Sequence, residues 1–152
     1  MSKPVFTKQF YASWICSTGS MFSLAYFWHG VVLNDYNLLT YPKGIFFSCM
    51  ALVYLIIGFS ISYFYRYLTL QKKIRDRFLK GIISGGLIGI LLYSITWILG
   101  ISYSKHLTFD NILLDLIWQV VEQTLGGVTV SIIHYSIWVD ERFSIQRRNS
   151  TE

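Results

Sequence analysis

Four long apolar blocks dominate the chain, at about residues 10–33, 44–65, 81–103 and 112–138. A helix rises about 1.5 Å per residue, so roughly 20 apolar residues cover the ~30 Å of hydrocarbon in a bilayer. Each block reaches that length. Backbone polar groups cannot be left unpaired in lipid, so a spanning segment is either a helix or a strand of a closed barrel. None of the blocks has the period-two alternation of barrel strands. They predict an all-α fold: a four-transmembrane-helix bundle forming one integral membrane domain over 1–152, with 139–152 as a mobile polar tail. Composition agrees, since 14% of residues are charged against roughly 25% in an average soluble domain. Lys3 and Lys8 precede the first block as the charged start of a signal peptide would. The apolar run after them is longer than the about 7–15 residues of a signal core, so it is expected to stay as helix one.

Orientation follows from the basic residues. Of the thirteen, only Lys43 and Lys105 fall between helices one and two or between three and four. The rest fall at the N-terminus (Lys3, Lys8), in the connection between helices two and three (Arg66, Lys72, Lys73, Arg75, Arg77, Lys80) and in the tail (Arg142, Arg147, Arg148). Short loops rich in Lys and Arg stay cytoplasmic, so both termini are expected inside. The net charge of +5 is then a matter of topology, and a nucleic-acid partner is not expected. The stretch "RYLTLQKKIRDRFLK" reads as a juxtamembrane basic segment, attracting anionic lipid headgroups at about 1 kcal/mol per basic residue. A cytoplasmic protein partner is the alternative.

Small residues mark the helix contacts. Ser13, Ser17 and Ser20 recur at helical spacing on helix one, and Gly81, Gly85 and Gly89 stack at i, i+4, i+8 on helix three. Such faces let helices approach closely, and their hydroxyls bond across the gap. Packing within one protomer is the plainer reading of the glycine stripe; a self-association face is the other. Helix two is the most apolar and reads as lipid-facing, with Tyr63, Tyr65 and Tyr67 as an interfacial belt. Cys16 and Cys49 fall near opposite faces and are expected as buried free thiols.

The fourth block carries the unusual chemistry. Asp115, Gln119 and Glu122 are spaced i, i+4, i+7 and share one helix face, which Gly126 continues. Glu122 falls near mid-membrane, where a charge costs about 2.5–3.5 kcal/mol on insertion scales. Such a residue faces the bundle interior and pairs, or stays neutral. His29, late in helix one, is expected at the depth of Asp115, with Trp28 and Trp118 at one level and Tyr93, Ser94 and Thr96 of helix three within reach. The outcome is a polar cluster opening away from the cytoplasm with Glu122 at its floor. The plainer reading is that these groups only lock the helices together.

Other chemistries lack support. His29 and His134 fall near opposite faces and cannot share a haem, and no HxxxH or CxxC spacing suggests zinc, so neither cofactor nor metal is expected. There is no GxSxG, P-loop or dinucleotide fingerprint. Two stretches are nevertheless familiar: "FWHGVVLNDY" closing helix one, and "GGLIGILLYSIT" followed by "LLDLIWQ" opening helix four. Together they resemble small four-helix bacterial inner-membrane proteins classed as domains of unknown function. The resemblance implies four helices with both ends inside a bacterial inner membrane, and supplies no activity.

Three functional readings remain. The first is a membrane protein acting by association, as an accessory subunit or homo-oligomer, packed through Gly81, Gly85, Gly89, Gly126, Ser17 and Ser20. The second is a small proton-coupled carrier in which Glu122 binds the proton while Asp115, His29 and Gln119 line its approach. The third is a membrane-embedded enzyme in which the Asp115 or Glu122 carboxylic acid protonates a lipid or isoprenoid.

Overall fold

A computed structural model describes residues 6–37, 39, 42–71, 74–101 and 109–149. Lys72, Lys73, Lys105 and His106, singled out above or lying in the outer connection, fall outside these. The described chain is helical: α1 spans Lys8–Ala25 and continues as a π-helical stretch, Tyr26–Val32, followed by α2 (Lys43–Leu70), α3 (Arg77–Ile101) and α4 (Phe109–Asn149). Among the described residues there is no strand. The polar stretch beyond residue 138 does not leave the helix, since α4 runs on through it to Asn149.

Helix ends follow local chemistry. Thr7 caps α1, its side-chain oxygen accepting from the Phe10 N–H at 3.3 Å. Asp76 caps α3 through bonds from the N–H groups of Phe78 (2.8 Å) and Leu79 (3.3 Å). Pro42 precedes α2, where its missing N–H leaves no bond unmade.

Three segments are long and apolar enough to cross a membrane: Lys43–Leu70, Arg77–Ile98 and Ile112–Ile137. Helix α1 falls short of them because its 18 residues include Lys8 and Gln9 and the hydroxyls of Ser13, Ser17, Thr18, Ser20 and Ser23. Four of those hydroxyls have specific partners. Ser17 donates to the Gly126 carbonyl of α4 at 2.9 Å and Thr18 to the Tyr54 carbonyl of α2 at 3.3 Å. Ser13 bonds its own helix at Phe10, and Ser20 meets Thr129 of α4 at 3.4 Å.

The most extensive interface joins α3 to α4, and glycine makes it close. A Cβ on Gly81 would stand 2.6 Å from the Gly127 carbonyl oxygen, and one on Gly89 3.1 Å from that of Gln119. The expected stripe Gly81–Gly85–Gly89 is thus spent inside the protomer and does not remain as an outer self-association face. Gly126 serves α1 in the same way, backing onto Met21 and Ser17. The small apolar core comprises Met21, Ile57, Ile61, Tyr65 and Val130.

Several local expectations need correction. Cys16 and Cys49 are free but exposed, because each lies on the outer side of its helix. Tyr63 and Tyr67 are exposed, while Tyr65 turns inward, 2% exposed, with its ring 5.0 Å from that of His134. Alternation along a helix sends the middle tyrosine to the opposite side from its neighbours.

Candidate functional site

Glu122 of α4 is 1% exposed and its neighbour Gln123 is fully buried. Their side chains meet, the Gln123 amide donating to Glu122 Oε1 at 3.5 Å. Gln123 sits beneath α3, its carbonyl against Gly85 and its Cβ 3.2 Å from where a side chain on Gly89 would begin. Replacing either glycine with a larger residue would push this pair out of place.

Three further groups close on the Glu122 carboxyl. Tyr54 of α2 brings its hydroxyl to it, Trp118 one turn back on α4 turns its indole N–H toward it, and the charge of His29 acts on it from the π-helical stretch. The Trp118 N–H closes no hydrogen bond of ordinary length among the described residues; it faces the carboxyl at longer range. The Trp118 ring stacks on Trp28, with centroids 4.1 Å apart and planes 15° from parallel. This stack fixes the depth at which helix one meets helix four, and the two tryptophans share a level as their spacing predicts. Groups from three elements, the π-helical stretch, α2 and α4 itself, thus act on one carboxyl.

The π-helical stretch positions His29. The Leu33 N–H reaches back five residues to the Trp28 carbonyl at 2.9 Å, and this wider turn rotates the residues within it relative to a continuous α-helix. Gly30 lies in the same turn and lets the Tyr36 ring press onto the backbone, 2.8 Å from a would-be Cβ. Tyr36 in turn reaches the Ala25 carbonyl with its hydroxyl at 3.5 Å. Between this stretch and α2 lies a pocket of about 390 Å³, lined by His29, Tyr36, Phe46, Met50 and Tyr54 together with Ala25 and Leu39. Two of its walls, His29 and Tyr54, act on Glu122, Tyr54 through its hydroxyl and His29 electrostatically.

The expected polar line on α4 divides by depth. Asp115 is exposed and its charge reaches the Tyr93 hydroxyl, which donates to the Ile112 carbonyl. Gln119 is half-buried and contributes its backbone carbonyl to the contact with Gly89. Ser94 and Thr96 do not join the cluster: both are exposed and donate to their own helix, at the Ile90 and Leu92 carbonyls. Tyr54 was not expected from the sequence. No pattern marks it, since it is one tyrosine within the most apolar helix. Among the described residues there is no group of three or more His, Cys, Asp or Glu side chains that could hold a metal ion.

Compared with protein-family models, with curated proteins and with solved structures, the chain matches none of them.

Proposed function

We propose that the protein is a four-span membrane carrier in which Glu122 alternately binds a proton and a small apolar cation, such as an amine, that enters through the pocket beside His29 and Tyr54. In this reading α1 and its π-helical continuation form the fourth span. Three of its hydroxyls, those of Ser13, Ser17 and Thr18, already bond to carbonyls, so hydropathy understates its fitness for lipid. The basic end of the bundle lies in the cytoplasm of a bacterial inner membrane, in keeping with the distribution of Lys and Arg and with the resemblance to small four-helix inner-membrane proteins.

The carrying observation is the environment of Glu122. An ionisable side chain buried among membrane helices marks an ion or proton path by default. Here the surroundings serve both protonation states. The Tyr54 hydroxyl and Trp118 N–H face the carboxyl as donors suited to its charged form. Gln123 Oε1, buried and without a partner among the described residues, is an acceptor suited to its neutral, donating form. The pocket beyond is walled by Tyr36, Phe46 and Tyr54, and aromatic faces attract cations. The aromatic wall and the carboxyl together favour an apolar cation over an anion.

The test is uptake of a lipophilic quaternary ammonium into proteoliposomes under an imposed pH gradient. Wild type should accumulate the probe, and Glu122→Gln, which keeps shape and most hydrogen bonds, should lose gradient-driven uptake while remaining folded. Uptake by Glu122→Gln at the wild-type rate would refute the proposal.

Association remains a second reading, favoured by a separate observation. Cys16, Gly19, Ser20 and Ser23 form a small-residue face on α1 that is exposed, with nothing within 4 Å of a would-be Cβ on Gly19. Bis-maleimide treatment of native membranes carrying Cys49→Ser should cross-link Cys16 to a second copy if this face is used; monomer alone would reject self-association through it.

A further inference from the structure

We propose that the cavity at the end of the bundle carrying the α2–α3 connection is a water-filled vestibule, kept wet at its inner end by His134, and that it is the aqueous access to Glu122 from that side. Its role as an access rests on the carrier reading; its being wet does not. The cavity is about 210 Å³, lined by Gln9 of α1, Arg66 and Thr69 of α2, Arg77 and Lys80 of α3, and His134 of α4. At roughly 30 Å³ per water, it has room for several molecules. Cavities that stay dry are apolar, whereas each of these side chains is polar. Lys80 is only 7% exposed. Whatever charge pairs with it, a lysine ammonium is strongly hydrated, and the cavity is where that water reaches it.

His134 shows where the water is needed. It is 9% exposed, and its Nε2 is buried without a partner among the described residues. A buried polar atom of this kind normally bonds to protein or to an ordered water. The ring packs against Tyr65 and lines the cavity. Its outer torsion is broad, so a modest rotation brings Nε2 to the cavity wall at little cost. Ser62, one turn before Tyr65 on the same side of α2, is fully buried, and its Oγ also lacks a partner among the described residues. Both groups adjoin the apolar core, since Ser62 follows Ile61 and His134 is one turn beyond Val130.

The two cavities therefore flank one core. Along α2 the order is Tyr54, Ile57, Ile61, Tyr65, and along α4 it is Glu122, Val130, His134. Tyr54 walls the cavity beside His29, Tyr65 and His134 wall the vestibule, and Ile57, Ile61 and Val130 stand between them. A carrier exposes its site to one face of the membrane and then to the other, and these cavities are its two approaches. When the core parts, vestibule water meets the Glu122 carboxyl. The carboxyl O–H bond breaks, the proton leaves as hydronium toward the basic end, and the carboxylate stays behind. His134 carries no proton in this step; it is a positioning residue that holds water against the core.

Radiolytic footprinting of the full wild-type chain in proteoliposomes tests the vestibule, because hydroxyl radicals made from internal water oxidise the side chains beside it. Tyr65 and Met21 are buried alike, at 2% and 1% exposure, and both belong to the core, but only Tyr65 lines the cavity. Mass spectrometry should find Tyr65 and His134 oxidised and Met21 spared, although methionine is the more readily oxidised side chain. Protection of both Tyr65 and His134, or equal oxidation of Met21, would overturn the vestibule. Gradient-driven uptake of the lipophilic quaternary ammonium tests the access role. His134→Leu should slow uptake about tenfold, and His134→Gln, which still bonds water, should restore most of it. Affinity for the probe should change less than about twofold in either variant, since the other cavity is remote. Uptake by His134→Leu at the wild-type rate would overturn the access role. Thr69→Leu, which fills the cavity from α2, carries the comparison if His134→Leu fails to fold. A wild-type chain that takes up no probe would remove the carrier reading and the access role together, while the footprint still decides the vestibule.

Discussion

Substituting Gly85 with alanine tests the α3–α4 seam, on which the candidate site depends. A Cβ there would land on the Gln123 carbonyl oxygen, 2.7 Å from Thr124 Cα and 2.8 Å from the Gln123 carbonyl carbon. All three are backbone atoms of a helix, so none can swing aside as a side chain could. Carbon atoms rest about 3.5–4.0 Å apart, so α3 and α4 must part by about 1 Å at this level. A gap of that size forfeits roughly a quarter to a half of each contact's attraction along the seam. Overpacking of this kind costs about 1–3 kcal/mol, occasionally more, against a helix-propensity gain of at most ~1 kcal/mol. Gly85→Ala should therefore destabilise by about 2 kcal/mol. Gly86 is the internal control: its Cβ would meet only Thr124 Oγ1 at 3.5 Å, an ordinary contact, so Gly86→Ala should be neutral or slightly stabilising. Gly89→Ala, at 3.1 Å from the Gln119 carbonyl, should fall between them. Unfolding in mixed maltoside and dodecyl sulfate micelles, followed by circular dichroism, ranks the three. Equal stability for Gly85→Ala and Gly86→Ala would refute the seam.

Other variants probe single interactions by the same unfolding assay. Ser17→Ala removes the bond to the Gly126 carbonyl and should cost about 0.6–2 kcal/mol; no loss would mean that this carbonyl is satisfied another way. Asn34 stands at φ 57°, where asparagine is tolerated and β-branched residues are not. Asn34→Val should therefore be less stable than Asn34→Gly by about 1–2 kcal/mol. Both variants lose the bond from Asn37 at 2.8 Å, so their difference isolates the backbone, and equal stabilities would contradict the left-handed turn.

Helical period made part of this arrangement legible in advance. Glycines four residues apart on α3 predict a close neighbour, and Gly127, Gln123 and Gln119 of α4 are that neighbour. Counting along antiparallel helices puts Trp28 and Trp118 at one level, and they stack. Depth alone does not fix direction, however. Asp115 and Glu122 share a helix face by spacing, yet α4 is covered only along part of its length, leaving Asp115 exposed. The π-helical turn was invisible because "AYFWHGVV" is an unremarkable helical sequence whose altered pairing arises from tertiary packing. Spacing likewise does not reveal that His29 acts electrostatically on Glu122. Tyr54 and the inward turn of Tyr65 were missed for a related reason: in a helix that is apolar on all sides, sequence does not say which side a neighbour covers.

Helix α4 carries both polar centres, and what lies between them bears on mechanism. Glu122 and His134 are twelve residues apart, about 18 Å along the axis. The intervening face is filled. Gly126 takes Met21 and Ser17 against its backbone, Gly127 takes Gly81, and Val130 packs at 0% exposure with Met21, Ile57, Ile61 and Tyr65. This layer is close-packed and mainly apolar, and its Ser17 hydroxyl is already bonded to the Gly126 carbonyl, so it offers an ion few partners. A substrate reaching Glu122 from the His29 side therefore meets a barrier before the basic end of the bundle. Under the proposed carrier function, passage would require α1 or α2 to shift relative to α4 across this layer, to which Met21 comes from α1, Ile57 and Ile61 from α2, and Val130 from α4. The glycine seam with α3 is different in kind, since its tightest contacts at Gly81, Gly85 and Gly127 are backbone to backbone and cannot adjust by a side-chain rotation. A carrier of this kind would be expected to move α1 and α2 against a rigid α3–α4 pair, with the Trp28–Trp118 stack and the Ser17–Gly126 bond among the contacts that would give way.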